Sequence, residues 1–364
     1  MNTIADTISI WRSTPRFRLS MLVLTGLTIA LIWLVIFSVG TGALSIHPSQ
    51  VIAIFFDKAG IELNVGYQAL QESILLNIRL PRVILAVLVG AALAISGAAM
   101  QGLFRNPLAD PGLLGVSSGA ALATALAMVV LNSLTYPFIE LLGTALIPVS
   151  AFAGGTFATI LVYRLSTARG RTNVATMLLA GIAINAMAGA LIGFMIFMAD
   201  DDQLRDLTFW TLGSLGGAMW SSVWVVLPFL IAAIFFLPFL AKGLNAILLG
   251  EAEAKHLGIR VERLKKFVIV FVGLAVGAAV SVSGMIGFVG LVVPHILRLW
   301  IGPDHRFLMP GSAILGGLLL LGSDLLARTL VSPAELPIGV ITASVGAPFF
   351  LWLLLRNRDM SGYL

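Results

Sequence analysis

No cysteine occurs among the 364 residues. That absence removes disulfides, thiolate metal sites, iron–sulfur clusters and cysteine nucleophiles together, and the redox compartment cannot be read from this residue. Charge is scarce as well. Asp, Glu, Lys and Arg make up 11% of the chain, where a soluble domain carries about 25%. Hydrophobic residues reach 59% and the mean hydropathy is +1.03, so the chain is built to live in a bilayer. Catalytic signatures are missing too. A nucleotide-hydrolysing phosphate loop ends in Gly-Lys-Ser/Thr, and none of Lys58, Lys242, Lys255, Lys265 and Lys266 follows a glycine. His47, His256, His295 and His305 are far apart and show no His-Glu-x-x-His spacing, which disfavours a zinc enzyme. Carboxylates placed for a proton relay are few. Asp324 is the only acidic residue well inside an apolar run, and it is expected to pair or to cap a broken helix.

What is present is a series of long apolar runs. A helix needs roughly 20 apolar residues to cross a hydrocarbon core about 30 Å thick. Ten runs of that order lie near 20–40, 83–104, 112–131, 141–163, 173–198, 221–241, 267–285, 287–300, 307–330 and 336–355. The eighth is short and carries Pro294, His295 and Arg298. The first follows Arg12, Arg16 and Arg18, as a signal peptide would, but no small-residue cleavage site follows it, so a retained helix is expected. If the N-terminus is cytoplasmic and all ten runs cross, only Lys58, Arg79, Arg82, Arg205 and Arg328 of the 22 basic residues stay outside. This bias is the positive-inside pattern and places both termini in the cytoplasm. The net charge of +5 therefore reflects placement about a membrane, and no nucleic-acid partner is expected.

The expected fold is all-α, a polytopic membrane protein of ten transmembrane helices. Residues 1–19 form a cytoplasmic N-terminal extension and 20–364 a single transmembrane domain. The segment Val89–Gly97 recurs as Val276–Gly284 with six of nine positions identical, and each copy is followed ten residues later by a proline, Pro107 or Pro294. Pro148 precedes Gly154-Gly155 by six residues, as Pro310 precedes Gly316-Gly317. Helices 2–5 thus look like helices 7–10, in halves of about 82–198 and 267–355, and a shift of five crossings inverts one copy relative to the other. The competing reading is chance likeness between Gly/Ala-rich membrane helices, since small residues serve close packing in any bundle.

Two segments stand out from the runs. Asn106-Pro107-Leu108-Ala109-Asp110-Pro111-Gly112 follows Arg105 at the inner end of the second run. Its prolines and glycine force a break and a tight turn before Leu113-Leu114-Gly115 re-enters the membrane, as a gate or as a rigid hairpin between spans. Gly250-Glu251-Ala252-Glu253-Ala254-Lys255-His256-Leu257-Gly258 places acids in a first helical turn, bases in a last turn and glycine at the stop. It should form a short exposed helix, either entering a groove on another protein or lying on the membrane surface as an amphipathic connector.

At these residues the chain resembles the permease family of ABC importers for iron-siderophores, haem and cobalamin. The resemblance covers nearly all of the chain from about residue 78. It includes Arg79-Leu80-Pro81-Arg82, the turn from Asn106 to Gly112, Gly250 to Gly258, the stretch Gly287 to Arg298, and Ala334-Glu335-Leu336-Pro337-Ile338-Gly339. It implies a homodimer of permeases around a central path, two cytoplasmic ABC ATPase subunits, and a periplasmic substrate-binding protein, all at the bacterial inner membrane. Carried over residue by residue, Glu251, Ala252, Glu253, Ala254, Lys255, His256 and Leu257 look like the coupling helix that sits in the ATPase cleft. Arg79 and Arg328 match outer-face arginines that pair with carboxylates of the binding protein. Asn106 and Leu108 match the inner closing region, and Val174 and Ala175 fall, by spacing, at a second constriction. The implied mechanism is alternating access, with ATP-Mg on the partner subunit and no permanently bound cofactor. The overall look is nearest the haem-importing branch, with a ferric siderophore next and cobalamin after it. Inverted repeats would equally allow an ion-coupled secondary transporter, against which the poverty of membrane carboxylates counts. The extension before residue 20 has no counterpart in the resemblance.

Overall fold

The computed structural model describes residues 15–131 apart from 43, 59 and 62, then 145–331 and 334–361. Most of the expected N-terminal extension, residues 1–14, and residues 141–144 of the fourth run lie outside the described residues. The chain runs through α1 (Pro15–Gly40), α2 (Pro48–Lys58) and α3 (Ala69–Ile74), which passes through a wide π turn, Leu75–Arg79, into α4 (Leu80–Phe104). A tight 3-10 turn, Pro111–Leu114, leads into α5 (Val116–Leu126). Next come α6 (Leu146–Ser166), a two-stranded antiparallel hairpin of β1 (Thr167–Ala168) and β2 (Arg171–Thr172), and α7 (Val174–Met198). The remainder is α8 (Asp201–Leu212), α9 (Trp220–Phe236), α10 (Ala241–Leu249), α11 (Glu251–His256), α12 (Val261–Ser283), α13 (Val289–Ile301), α14 (His305–Thr329) and α15 (Ile338–Ser361). The described residues are almost wholly helical, as expected from the sequence.

Among the described residues, seven helical stretches are long and apolar enough to cross a membrane: Arg16–Gly40, Ala69–Phe104, Leu146–Ser166, Val174–Met198, Trp220–Leu249, Val261–Ser283 and His305–Thr329. The third, eighth and tenth predicted runs fall on shorter apolar helices, Val116–Val130, Val289–Ile301 and Ile338–Leu353. The second helix begins well before residue 83, because Arg79 and Arg82 continue it. The helix α8 falls between predicted runs and starts on a capping box. The Asp200 carboxylate accepts from the Gln203 amide at 2.8 Å, and the Gln203 side chain accepts from the Asp200 amide at 3.2 Å.

The core is organised around α4. Of its apolar window 83% is buried, against 11% for α1, so α4 is central and α1 peripheral. It runs antiparallel to α14: Arg82 meets Asp324, Gly90 meets Gly316, and Gly102 lies against His305. Lipid tails offer no hydrophobic drive between helices, so association depends on close packing at small residues. Gly90 and Gly316 supply it reciprocally, a β-carbon on either falling 2.3 Å from the other's carbonyl oxygen. Gly97 is tighter still, since a β-carbon there would sit 1.7 Å from the Gly290 oxygen on α13.

The structure pairs the helices as an exchange of halves would. Helix α4 packs on α14, as α12 packs on α6; α4 packs on α13, as α12 packs on α5; and α4 and α12 pack on each other. The residue-level match is looser. Gly97 lies inside α4 with Pro107 beyond its end, whereas Gly284 caps the end of α12 and Pro294 lies inside α13. The two glycine pairs also face different neighbours, Gly154 interlocking with Gly119 of α5 and Gly316 with Gly90 of α4.

Replacing Gly97 by Ala should destabilise the purified protein by about 1–3 kcal/mol or more through overpacking. Gly26→Ala, where nothing lies within 4 Å of the new β-carbon, should leave stability equal or raised by about 0.5–1 kcal/mol through helix propensity. Thermal denaturation in detergent reads both, and equal shifts would contradict the packing argument.

Candidate functional site

The antiparallel pairing of α4 with α14 defines two ends of the molecule. At one, Phe104 and the turn that follows lie beside the start of α14. Here Asn245 of α10 donates to Asp304 at 2.7 Å, while its oxygen accepts the His305 amide at 2.9 Å and faces the His305 Nδ1 at 2.8 Å. This latch holds α10, and α11 after it, at the same end as the 105–115 turn.

That turn is locally determined. Arg105 takes the left-handed conformation, φ 51°, that ends α4. The Asn106 side chain accepts from the Leu108 amide at 2.9 Å, and the Asp110 side chain from the Gly112 amide at 2.7 Å. Burial pushes the Asp110 carboxyl above its ordinary range, against the pull of that amide. The following Pro111–Leu114 turn is seated on α7. Asn185 donates to the Gly112 carbonyl at 3.3 Å, and a β-carbon on Gly181 would fall 1.8 Å from the Leu113 oxygen. The two predicted gate segments are therefore joined through Gly181 and Asn185, several turns along α7 from Val174 and Ala175. Asn106 and Leu108 are exposed, Leu108 at 49%; Ala175 is exposed and Val174 half-buried. Asn173 caps α7 by accepting from the Ala175 and Thr176 amides at 2.9 and 3.1 Å.

The predicted short helix is α11, bracketed by Gly250 (φ 132°) and Gly258 (φ 80°). Ala254 is fully buried, whereas Ala252, Glu253, Lys255, His256 and Leu257 are exposed and Glu251 is half-buried. Leu249 and Leu257 show 68% and 64% of their surface at its two ends, which leaves apolar contact area flanking a charged helix. Sequence reasoning missed its anchor. Lys265 of α12 is buried and reaches Glu251 at 2.8 Å.

The opposite end holds a buried charge cluster. Arg82 donates to Asp324 at 2.8 Å and, through both terminal nitrogens, to the two oxygens of Glu335 at 2.9 Å each. Asp324 is fully buried and has a second cation, Arg328, at 3.4 Å. It pairs, as expected, and Arg82, read from the sequence only as an outer charge, is its main partner.

Arg79 and Arg328, expected as outward-facing docking charges, are turned onto the end of α1. Arg79 donates to the carbonyls of Val39 at 3.1 Å and Gly40 at 2.8 Å, and to that of Leu44. Arg328 donates to the Thr41 and Ser38 carbonyls at 2.6 and 2.7 Å and to the Ser38 hydroxyl. The physical reason is that a helix leaves its last carbonyls without partners, and cations at that end satisfy both the hydrogen bonds and the dipole.

The architecture is that of a multi-pass helical membrane protein with an exposed charged helix at one end and buried arginines at the other. The FecCD transport family matches residues 29–356, and the chain belongs to it. The hemin transport system permease protein HmuU of Yersinia pestis is 51% identical over 284 residues, 78% of this chain and 84% of that protein. The cobalamin import system permease protein BtuC of Halobacterium salinarum is 42% identical over 298 residues, 82% of this chain and 77% of that protein. Among solved structures, an inward-facing metal-chelate type ABC transporter matches with a TM-score of 0.78 at 30% identity, covering 92% of this chain and 98% of the other. The chain is thus an ABC transporter permease of the bacterial inner membrane.

Two measurements follow from the charge cluster. Arg82→Met leaves the buried Asp324 with Arg328 alone at 3.4 Å and should cost about 3–5 kcal/mol, while adding Asp324→Leu and Arg328→Met together should recover much of that loss. The second concerns pH. Hydrogen bonding from Arg82 holds the Glu335 carboxyl below its ordinary value of 4.5, so its contribution is present above that value and fades as pH falls through the lowered one. The stability gap between wild type and Glu335→Gln should therefore be full at pH 7 and close in acid; a gap independent of pH would contradict the pairing.

Proposed function

We propose that the chain forms the haem path of an ATP-driven importer, as one of two identical ten-helix permeases with both termini in the cytoplasm. The observation that carries the cargo assignment is the 51% identity to the hemin permease of Yersinia pestis over most of both chains. The cobalamin permease at 42% keeps cobalamin as an alternative cargo, and a ferric siderophore is the other. An ion-coupled carrier is disfavoured because Asp324, the one acidic residue well inside a span, is held by Arg82 and Arg328.

In this reading α11, with Leu257 after it, enters the cleft of a cytoplasmic ATPase subunit. Its exposed face and the flanking Leu249 and Leu257 support that role. ATP-Mg binds and is hydrolysed on that partner, and this chain holds no resident cofactor. Nucleotide binding moves the two copies of α11, the halves rock, and the path opens to one side at a time. Asn106 and Leu108, with Val174 and Ala175, close its cytoplasmic end. The 105–115 turn and α7 move as one because Gly181 and Asn185 hold the turn.

A periplasmic binding protein delivers cargo at the end that holds Arg79 and Arg328. Among the described residues Arg79 has no carboxylate within ion-pair distance, its donors going to neutral carbonyls. Arg79 is 5% exposed, so a carboxylate of the delivery protein would reach it only where docking draws the end of α1 away from it. Such contacts orient docking more than they add affinity.

The test is reconstitution with the ATPase subunit and binding protein in proteoliposomes. Haem should accumulate only with ATP and the partner, and cobalamin and ferric siderophores should not. Preferential uptake of either of those would reassign the cargo. Uptake by the chain alone down an ion gradient would overturn the importer reading.

A further inference from the structure

We propose that Lys265 is the positioning residue that carries motion of α11 to the start of α7. The proposal rests on the permease reading above and adds the route by which the exposed helix reaches the path. Lys265 lies in the second turn of α12 and is 2% exposed. Its ammonium reaches Glu251, the first residue of α11, and the carbonyl of Thr172 in β2, each at 2.8 Å, with Glu262 at 3.5 Å. Glu262 closes the ring by accepting the Thr172 amide at 2.8 Å. Both backbone groups of the buried Thr172 are thus gripped by one ammonium and one carboxylate.

Thr172 is not a free strand residue. It pairs with Thr167 across the hairpin, the two hydroxyls 3.0 Å apart, and the next amide, that of Asn173, donates to Ser166 at the end of α6. Asn173 is also the cap of α7. From the first residue of α11 to the cap of α7 the connection is an ion pair, a charge-assisted hydrogen bond and one peptide bond. Among the described residues no other side-chain hydrogen bond or ion pair runs from α11 to another helix.

The chemistry suits a link more than a filler. Well-packed apolar residues in place of a buried ion pair are often neutral or stabilising, so stability alone gives little reason to bury a lysine here. Charge-assisted hydrogen bonds are directional and strong, whereas an apolar contact lets its partners slide. A lysine between two carboxylates and a carbonyl therefore fixes α11, the base of α12 and a hairpin 93 residues away in sequence at one point.

The experiment uses the lack of cysteine, which allows a spin label to be placed at Thr176→Cys alone. Thr176 is exposed in the first turn of α7. The distance between the two labels of the assembled transporter is measured with and without ATP, alongside haem taken up per ATP hydrolysed. With Lys265 intact, ATP should shift the distance. In Lys265→Met the ATPase subunit should still co-purify, the shift should fall by more than half, and uptake per ATP should drop about fivefold or more. An undiminished shift with undiminished uptake per ATP would overturn the proposal. Should Lys265→Met fail to assemble, Glu262→Gln keeps an acceptor for the Thr172 amide but loses its charge; it should show a partial loss of both readings, and no loss would equally refute the link. Absence of any ATP-dependent shift or uptake with Lys265 intact would instead bring down the permease reading, and the link with it.

Discussion

The contact on which this bundle depends is the backbone-to-backbone approach of α4 and α14 at Gly90 and Gly316. In a bilayer, apolar side chains gain nothing by leaving lipid for one another, so the central helix is held by proximity and by polar contacts at its ends. Side chains at these glycines would part the helices by more than the polar contacts could span. Because the glycines let the axes close, Arg82 can reach Asp324 at 2.8 Å at one end, and Gly102 can lie against His305 at the other. The same approach sets the height of the α14 start, and with it the Asn245 latch that holds the end carrying α11.

Buried charge at the two ends is arranged for different purposes. The Arg82 cluster joins two helices and the segment before α15 around a fully buried carboxylate. Its members are close to mutual neutrality, and nothing in it borders an exposed helix. The Lys265 cluster has the same chemistry but contacts three short segments at the rim: α11, the β hairpin and the base of α12. One cluster resembles a rivet, the other a joint.

How far the fold could be read from the residues follows from what each signal measures. Run length reports the thickness of hydrocarbon, so helices such as α6, α7 and α14 were legible within a few residues. The method stops at charge, and there it misjudged. It began the second helix at 83 and the seventh at 267, whereas α4 starts at Leu80, continuous with the turn before it, and α12 starts at Val261. In each case a charged residue inside the extra turns is buried because a partner comes from a remote segment, Asp324 and Glu335 for Arg82 and Thr172 for Lys265. No window of local sequence contains those partners. The short helix α11 was legible because its acids, bases and bracketing glycines are local features. The inward turn of Arg79 and Arg328 was not, since it depends on where α1 ends in space.

The arrangement at the end of α1 also bears on how the chain enters the bilayer. Segments are made and inserted in order from the N-terminus, so α1 is in place, its last carbonyls open, before Arg79 and long before Arg328 emerge. A guanidinium inside a bilayer is costly unless it finds polar partners, and these two lie at the ends of their helices beside the end of α1. Here each arrives near acceptors already laid down by an earlier helix. The first helix thus serves as a receptor for cations that the rest of the chain has yet to deliver, and the order of synthesis becomes part of the folding route.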